Sequence, residues 1–164
     1  MKEIFLKRKK YIVLSYKDVE RDLWKLANKI EKLFFPEEIV GISRGGLFVA
    51  LFLSYYFDTK LYSIGISSYK GTEKRFENLY QTISLRNLKN KKVLLVDDVS
   101  DTGRTLKRAL EELKGIKNIR TATLYIKPKT SFIPDFYVKI YDGWICFPWE
   151  KPETIRIVGK SKKF

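Results

Sequence analysis

Histidine is absent from all 164 residues of the sequence. Its absence excludes Ser-His-Asp and Cys-His nucleophile pairs, zinc or haem sites with histidine ligands, and pH switches built on an imidazole. Any chemistry must therefore use carboxylates, amines, hydroxyls, backbone amides or a bound metal ion.

Cysteine and long apolar runs are also scarce. The single cysteine, Cys146, has no partner for an internal disulfide, which argues against a secreted scaffold. The longest apolar run, residues 47–57, is far shorter than the roughly 20 residues that a membrane span needs. No apolar signal segment precedes the basic cluster at residues 7–10. We therefore expect a cytoplasmic protein with no membrane partner.

Acidic residues are outnumbered, because 33 Lys and Arg stand against 19 Asp and Glu, a formal charge of +14. The basic residues are spread thinly, with the densest clusters at residues 7–10 and 160–163. A solvated, lysine-rich surface accounts for most of this excess, and a field that attracts polyanions is the alternative interpretation. Charge alone does not distinguish nucleic acid, a membrane surface and a phosphorylated small molecule as partners.

The remaining composition is that of one folded domain. Hydrophobic residues make up 45% of the chain, too many for a disordered tail. Apolar runs predict strands at residues 12–14, 39–42, 61–66, 93–96, 119–126 and 136–140, and helical spacing predicts helices at residues 15–36, 47–56 and 105–113. This order predicts an α/β fold, a doubly wound, mainly parallel central sheet with helices on both faces, in a single domain over residues 1–164.

The segment at residues 93–106 carries the strongest chemical signal and reads V-L-L-V-D-D-V-S-D-T-G-R-T-L. A buried strand delivers Asp97 and Asp98 to the carboxyl edge of the sheet, where ligands bind in such folds. The turn at residues 101–105 can direct backbone N–H groups at one anion, and Gly103 permits the close approach this requires. Adjacent carboxylates beside a phosphate cradle make sense if the ligand brings hydroxyl donors or Mg²⁺. A sugar phosphate with free vicinal hydroxyls meets both conditions.

This segment resembles the phosphoribosyl-pyrophosphate (PRPP) signature of type I phosphoribosyltransferases. Further blocks of that family follow in order: I-S-R-G-G-L at residues 42–47 resembles the pyrophosphate loop, and I-S-S-Y at residues 66–69 resembles the start of the mobile loop. I-K-P at residues 126–128 and W-I-C-F-P-W-E at residues 144–150 resemble the base-binding part of the xanthine-guanine branch. Aspartic proteases share the Asp-Thr-Gly triplet, but they need an all-β setting, and receiver domains need their acidic pair near the chain start.

The resemblance implies a type I phosphoribosyltransferase fold, with a core at about residues 39–126 and a base-binding hood from the N-terminal segment and about residues 127–150. It implies transfer of the 5-phosphoribosyl group from PRPP to xanthine, guanine or hypoxanthine in purine salvage, giving a nucleoside 5′-monophosphate and pyrophosphate. Mg²⁺ is the implied cofactor, a homodimer or homotetramer the implied assembly, and nucleic acid an unlikely partner. The alternative is a regulator of the same fold that senses PRPP or a nucleotide and binds nucleic acid.

The same resemblance assigns the PRPP site. Asp97 and Asp98 hold the ribose hydroxyls, and Asp98 also touches the metal. The 5′-phosphate lies in the turn at residues 102–105, and pyrophosphate lies on the loop at Arg44. The full set of PRPP-binding residues is Arg44, Gly45, Arg75, Asp97, Asp98, Ser100, Asp101, Thr102, Gly103, Arg104 and Thr105.

For the base, the resemblance makes Asp101 the catalytic residue, facing purine N7 and taking or sharing its proton. Lys127 donates to the 6-oxo group, and Trp144 stacks on the ring. The backbone of Ile145 reads the 2-position, and Glu150 stands where relatives carry an acid near the metal or the base. The preferred base among the three stays open, because its 2-position is read by backbone and water.

Overall fold

A computed structural model describes residues 1–6, 9–66 and 88–158 of the chain. Two short strands, β1 (Lys2–Leu6) and β2 (Lys9–Val13), precede helix α1 (Tyr16–Glu31). The middle of the chain forms β3 (Glu38–Ser43), α2 (Gly46–Phe57), β4 (Lys60–Gly65) and β5 (Lys92–Ser100). The last part forms α3 (Arg104–Glu112), β6 (Asn118–Ile126), β7 (Lys139–Ile140), β8 (Trp144–Cys146), a 3₁₀ turn (Pro148–Glu150) and α4 (Lys151–Val158).

The central sheet has five strands in the order β4-β3-β5-β6-β7, and every pairing in it is parallel. Side chains alternate between its faces, so Leu94 and Val96 of β5 pack with α1 and α2, while Val93 and Leu95 pack with α3. An apolar strand covered on both faces is typical of parallel sheets. The predicted α/β class, with a parallel sheet between helices, is confirmed.

A second, smaller sheet has the order β1-β2-β8. β1 and β2 form an antiparallel pair, and β8 joins β2 in parallel with Trp144 opposite Tyr11. This sheet brings residues 144–146 to the N-terminal segment. It lies where the sequence predicts the hood, although the division into core and hood stays a prediction.

The register explains why β5 extends beyond its predicted end. Its pairing with β3 ends at Val96, opposite Gly41, whereas its pairing with β6 continues to Ser100. Asp97 and Asp98 therefore lie on the last part of β5, which pairs with β6 but not with β3, next to the turn that follows β3. Within the described residues, none of the helices has the length and apolar character needed to cross a bilayer.

Candidate functional site

Two neighbouring cavities open at the carboxyl ends of the central strands. The first, of about 390 Å³, is lined by Ile42, Ser43, Arg44, Gly45, Phe48, Ile66, Asp97, Asp98, Thr105, Trp149, Glu150 and Glu153. The second, of about 320 Å³, is lined by Asp101, Thr102, Lys127, Pro128, Lys129, Asp142, Gly143 and Trp144. The segment from the loop after β5 to the first turn of α3 contributes to both, since Thr105 lines the first cavity and Asp101 the second.

The Gly-Gly turn after β3 fits closely against the two aspartates of β5. A Cβ atom on Gly45 would lie 1.9 Å from Oδ2 of Asp98, and one on Gly46 would lie 2.8 Å from Cα of Asp97. No real side chain tolerates such contacts, so only glycine allows the turn and the aspartates to share this space. The turn therefore passes directly over both carboxylates.

Three carboxyl groups of the first cavity have raised pKa values. Burial, with help from Glu150, raises the pKa of Asp97 to about 7. Burial and the charge of Asp97 raise the pKa of Asp98 well above its ordinary value. Burial and the charge of Asp98 raise the pKa of Glu150 to about 7. Desolvation and mutual repulsion disfavour full ionisation of this cluster until a ligand supplies positive charge or hydrogen-bond donors.

The far wall of the first cavity comes from the chain after β8. Trp149 stacks on Phe48 of α2 with ring centroids 4.4 Å apart, and on Phe147 at 4.8 Å. Arg44 reaches across the cavity, where its Nη2 lies 2.9 Å from Oε2 of Glu153 on α4. Both partners are solvent-exposed, so this ion pair contributes little energy and can be broken by a competing anion.

The loop that opens α3 is shaped by Gly103, which has φ +80°. A Cβ atom there would lie 2.6 Å from the backbone nitrogen of Phe132. Ser131 links the loop after β6 to the loop before α3. Its backbone N–H and its hydroxyl both donate to the carbonyl oxygen of Thr102, at 3.1 and 2.7 Å. The backbone at the N-terminus of α3 is thus held ready for an anion, which helix N-termini favour.

The second cavity is lined by one ammonium and two carboxylates. Asp101 follows β5, Lys127 follows β6 and Asp142 follows β7, and all three line this cavity. Burial lowers the pKa of Lys127, and the charges of Asp101 and Asp142 oppose that shift. Trp144 presents a ring that is 53% exposed, so a planar ligand has an aromatic surface to stack on.

The structure brings most of the predicted site residues together in these two cavities. Glu150, which the resemblance places near the metal or the base, lies with Asp97 and Asp98 in the first cavity. Three others line neither cavity. Gly103 shapes the loop that opens α3, Arg104 is exposed as the first residue of α3, and Ile145 is buried.

Two further predictions need separate mention. Ser100 is buried, and its hydroxyl donates to the carbonyl oxygen of Phe132 at 2.7 Å. Its predicted contact with PRPP stays a prediction. Arg75 and the predicted mobile loop lie outside the described residues.

Sequence reasoning missed several residues that line the cavities. Phe48, Trp149 and Glu153 complete the wall of the first, and Asp142 faces Lys127 in the second. A signal for Asp142 existed, since it follows a predicted strand at the carboxyl edge just as Lys127 does. Trp149 lies in the segment at residues 144–150 that resembles the base-binding part of the family, but the resemblance assigns no role to it. Glu153 carried no local signal, because only the packing of α4 brings it to the sheet edge.

The first cavity suits a hard cation. Its donors are carboxylate oxygens, which Mg²⁺ prefers, and a bound cation would favour the ionised carboxylates that burial and mutual repulsion disfavour. Among the described residues, no group of three or more Asp, Glu, His or Cys side chains is arranged to hold a metal alone. Mg²⁺ in such a cavity would take its remaining ligands from a bound substrate and water.

Known proteins share both the sequence pattern and the fold. The family model for the phosphoribosyl transferase domain matches residues 14–154. The xanthine-guanine phosphoribosyltransferase of Desulfotalea psychrophila is 32% identical over 92% of this chain and 94% of its own. That of Idiomarina loihiensis is 30% identical over 84% of this chain and 85% of its own. The solved structure of a purine phosphoribosyltransferase from Pyrococcus horikoshii is 42% identical, with a TM-score of 0.77 over 86% of this chain and 95% of that one.

Proposed function

Because the chain belongs to the phosphoribosyl transferase domain family, we propose that it transfers the 5-phosphoribosyl group of PRPP to a 6-oxopurine, releasing pyrophosphate. The observation that carries the proposal is the pair of adjoining cavities on one sheet edge. One combines buried carboxylates with a glycine turn, and the other combines a carboxylate, an ammonium and an indole ring. The names of the relatives support purine bases as acceptors. They give no support to the alternative of a nucleic-acid-binding regulator.

In the first cavity the ribose and the leaving group of PRPP are bound. Asp97 and Asp98 accept hydrogen bonds from the ribose 2′- and 3′-hydroxyls, which satisfies buried oxygens without adding negative charge. Gly45 lets the pyrophosphate approach the backbone, and Arg44 exchanges Glu153 for a pyrophosphate oxygen. The amides of residues 102–105 hold the 5′-phosphate at the start of α3.

The reaction itself needs placement and charge stabilisation. The C1′–O bond to pyrophosphate breaks with its electron pair leaving on oxygen, a purine nitrogen bonds to C1′, and the purine loses one proton. Positive charge develops at C1′ as the bond breaks, so neutralising the leaving group and aligning the base lower the barrier. Asp101 accepts the purine proton, while Lys127 and Trp144 hold the base by its 6-oxo group and its face.

Mg²⁺ is proposed as the cofactor. When bound, it supplies positive charge that stabilises the departing pyrophosphate. Asp98 and Glu150 are the residues that would hold it, because both line the first cavity, burial raises the pKa of both, and the charge of Asp98 raises that of Glu150 further. The cytoplasmic location stays a prediction.

Self-association is also proposed, through the outer face of α2. This helix contains no charged residue from Gly46 to Phe57, and Phe48, Leu51 and Tyr55 are 48%, 48% and 83% exposed. Two copies of a chain with a charge of +14 repel each other, and an uncharged face buries apolar area without bringing like charges into direct contact. Sedimentation should give a homodimer or homotetramer that Leu51→Glu dissociates, and a monomeric wild type would exclude this assembly.

The proposed reaction is tested by incubating the protein with PRPP, Mg²⁺ and each of xanthine, guanine, hypoxanthine and adenine while following pyrophosphate release. Release with at least one 6-oxopurine is expected, and none with any base would reject the proposal. Asp101→Asn should lower kcat by about 100-fold or more with little change in PRPP affinity, the scale of general-base catalysis. Asp58→Asn, at the exposed end of α2, is the matched control and should keep wild-type kcat.

A further inference from the structure

The second cavity, where the base is proposed to bind, is lined by a carboxylate, Asp142, whose position is set by the sheet register. In the parallel strands β5, β6 and β7, Ser100 lies opposite Ile126, and Ile126 lies opposite Ile140. The ladder continues past these strand ends, since the N–H of Lys127 donates to Ser100 O and the N–H of Tyr141 donates to Ile126 O, both at 3.0 Å. Neighbouring strands therefore deliver a carboxylate, an ammonium and a carboxylate to one edge.

The segment that carries Asp142 is fixed on its other side as well. Gly143 has φ +115°, and a Cβ atom there would lie 2.9 Å from the carbonyl oxygen of Lys10 on β2. Trp144 then enters β8, opposite Tyr11. Anchored before and after, Asp142 has a defined place in the cavity wall rather than a free position on a loop.

The electrostatic problem at this site concerns Lys127. Its ammonium is partly buried, and the charged groups that line the cavity with it are Asp101, Asp142 and Lys129. With Asp101 as the only acid, the ammonium would be drawn to the carboxylate that must accept a proton from the base. An acid on the opposite strand end balances that attraction.

We propose that Asp142 is a positioning residue of the base site. Its carboxylate holds the Lys127 ammonium between the two strand ends, so that Lys127 donates to the 6-oxo group of the purine and Asp101 stays free to accept a proton. This inference rests on the proposed function for the identity of the ligand. The arrangement of the three charges is independent of it. The charge of Asp142, like that of Asp101, opposes the lowering of the Lys127 pKa by burial, in agreement with this role.

The test compares Asp142→Asn with Asp142→Glu and with Glu111→Gln, an exposed acid on α3 whose loss changes the net charge equally. Steady-state rates with hypoxanthine are measured from pH 6 to 9. For Asp142→Asn we expect KM for the base to rise about tenfold, the scale of one hydrogen bond involving a charged group, with kcat within about twofold. As pH increases and Lys127 loses its proton, KM for the base should increase, and in Asp142→Asn this increase should begin at lower pH than in the wild type. Asp142→Glu should recover most of the loss, and Glu111→Gln should match the wild type.

A second readout needs no turnover. The Lys127 side-chain NMR signal, identified by its loss in Lys127→Arg, is titrated in the wild type and in Asp142→Asn, and should titrate at lower pH in the variant. Unchanged titration together with an unchanged base KM would overturn the role of Asp142. If the wild type transfers to no base, the proposed function fails, and the titration alone then decides whether Asp142 acts on Lys127.

Discussion

Replacing Glu150 by Gln should make the protein more stable at alkaline pH while weakening its proposed site. The Glu150 carboxyl is enclosed in the first cavity and repelled by Asp98, so its pKa is raised to about 7 from an ordinary value of 4.5. The folded protein therefore binds more protons than the unfolded chain between these two values. By linkage, the free energy of unfolding falls as pH rises through this window and stays low above it.

The size of the effect follows from the same values. At about 1.4 kcal/mol per pH unit, the raised pKa of Glu150 lowers the free energy of unfolding by about 3 kcal/mol at pH 8 and by about 1 kcal/mol at pH 5, relative to low pH. Gln keeps the shape of Glu150 and removes the charge. The gain in unfolding free energy over the wild type should therefore be about 2 to 3 kcal/mol larger at pH 8 than at pH 5.

Urea unfolding of both proteins at pH 5 and pH 8 measures this difference directly. Glu153→Gln is the matched control from the same cavity wall, because Glu153 is exposed and its ion pair with Arg44 is worth at most about 1 kcal/mol. A pH-independent gain, or none, in Glu150→Gln would show that the Glu150 carboxyl is not strained by its surroundings. Weaker Mg²⁺-dependent PRPP binding by the more stable variant would further support Glu150 as a metal-holding residue.

Two further substitutions test the packing around the site. Gly45→Ala should weaken PRPP binding at least about tenfold, because a Cβ would lie 1.9 Å from Asp98 Oδ2. Gly115→Ala is the control, because a Cβ there meets nothing within 4 Å, and it should bind PRPP normally in the same titration. Lys139→Met should lower the free energy of unfolding by about 2 kcal/mol, since Lys139 bonds both oxygens of the fully buried Asp22 at 2.9 and 2.7 Å, while Tyr125 and Arg21 still contact that carboxylate. The double variant with Asp22→Leu should recover most of that loss, and an additive loss would contradict the pairing.

Local rules were enough for the central elements. The Ser15 and Asp18 pair forms a capping box at the start of α1, within the predicted helix, and the apolar run at residues 93–96 lies in the central strand of the sheet. The predicted strand at residues 136–140 is mostly wrong, because only Lys139 and Ile140 form strand and Phe136 makes an isolated bridge to Ala122. The sheet edge has a neighbour on one side only, so its irregular backbone is set by tertiary contacts rather than by apolar spacing.

The elements that complete the site could not be predicted for a different reason. β1, β8 and α4 are short and gain stability only by pairing with parts of the chain that are distant in sequence, as β8 does with β2. The place of Glu150 depends on these contacts. The resemblance left open whether Glu150 lies near the metal or the base, and the turn before α4 brings it to the carboxylates of β5. In contrast, Asp97 to Thr105 are contiguous, so their clustering followed from the sequence alone.

The missing histidine acquires a specific consequence once the carboxyl cluster is known. A chain without imidazole has few side chains that ordinarily titrate near neutrality. Burial nevertheless raises the pKa values of Asp97 and Glu150 to about 7. These two groups should therefore control the neutral-pH behaviour of the site. Because Mg²⁺ binds ionised carboxylates, Mg²⁺-dependent PRPP affinity should fall as pH drops below about 7, with proton release on binding. Calorimetry in buffers of different ionisation enthalpy measures that release, and its absence at pH 6.5 would mean that the cluster is already ionised before the ligand arrives.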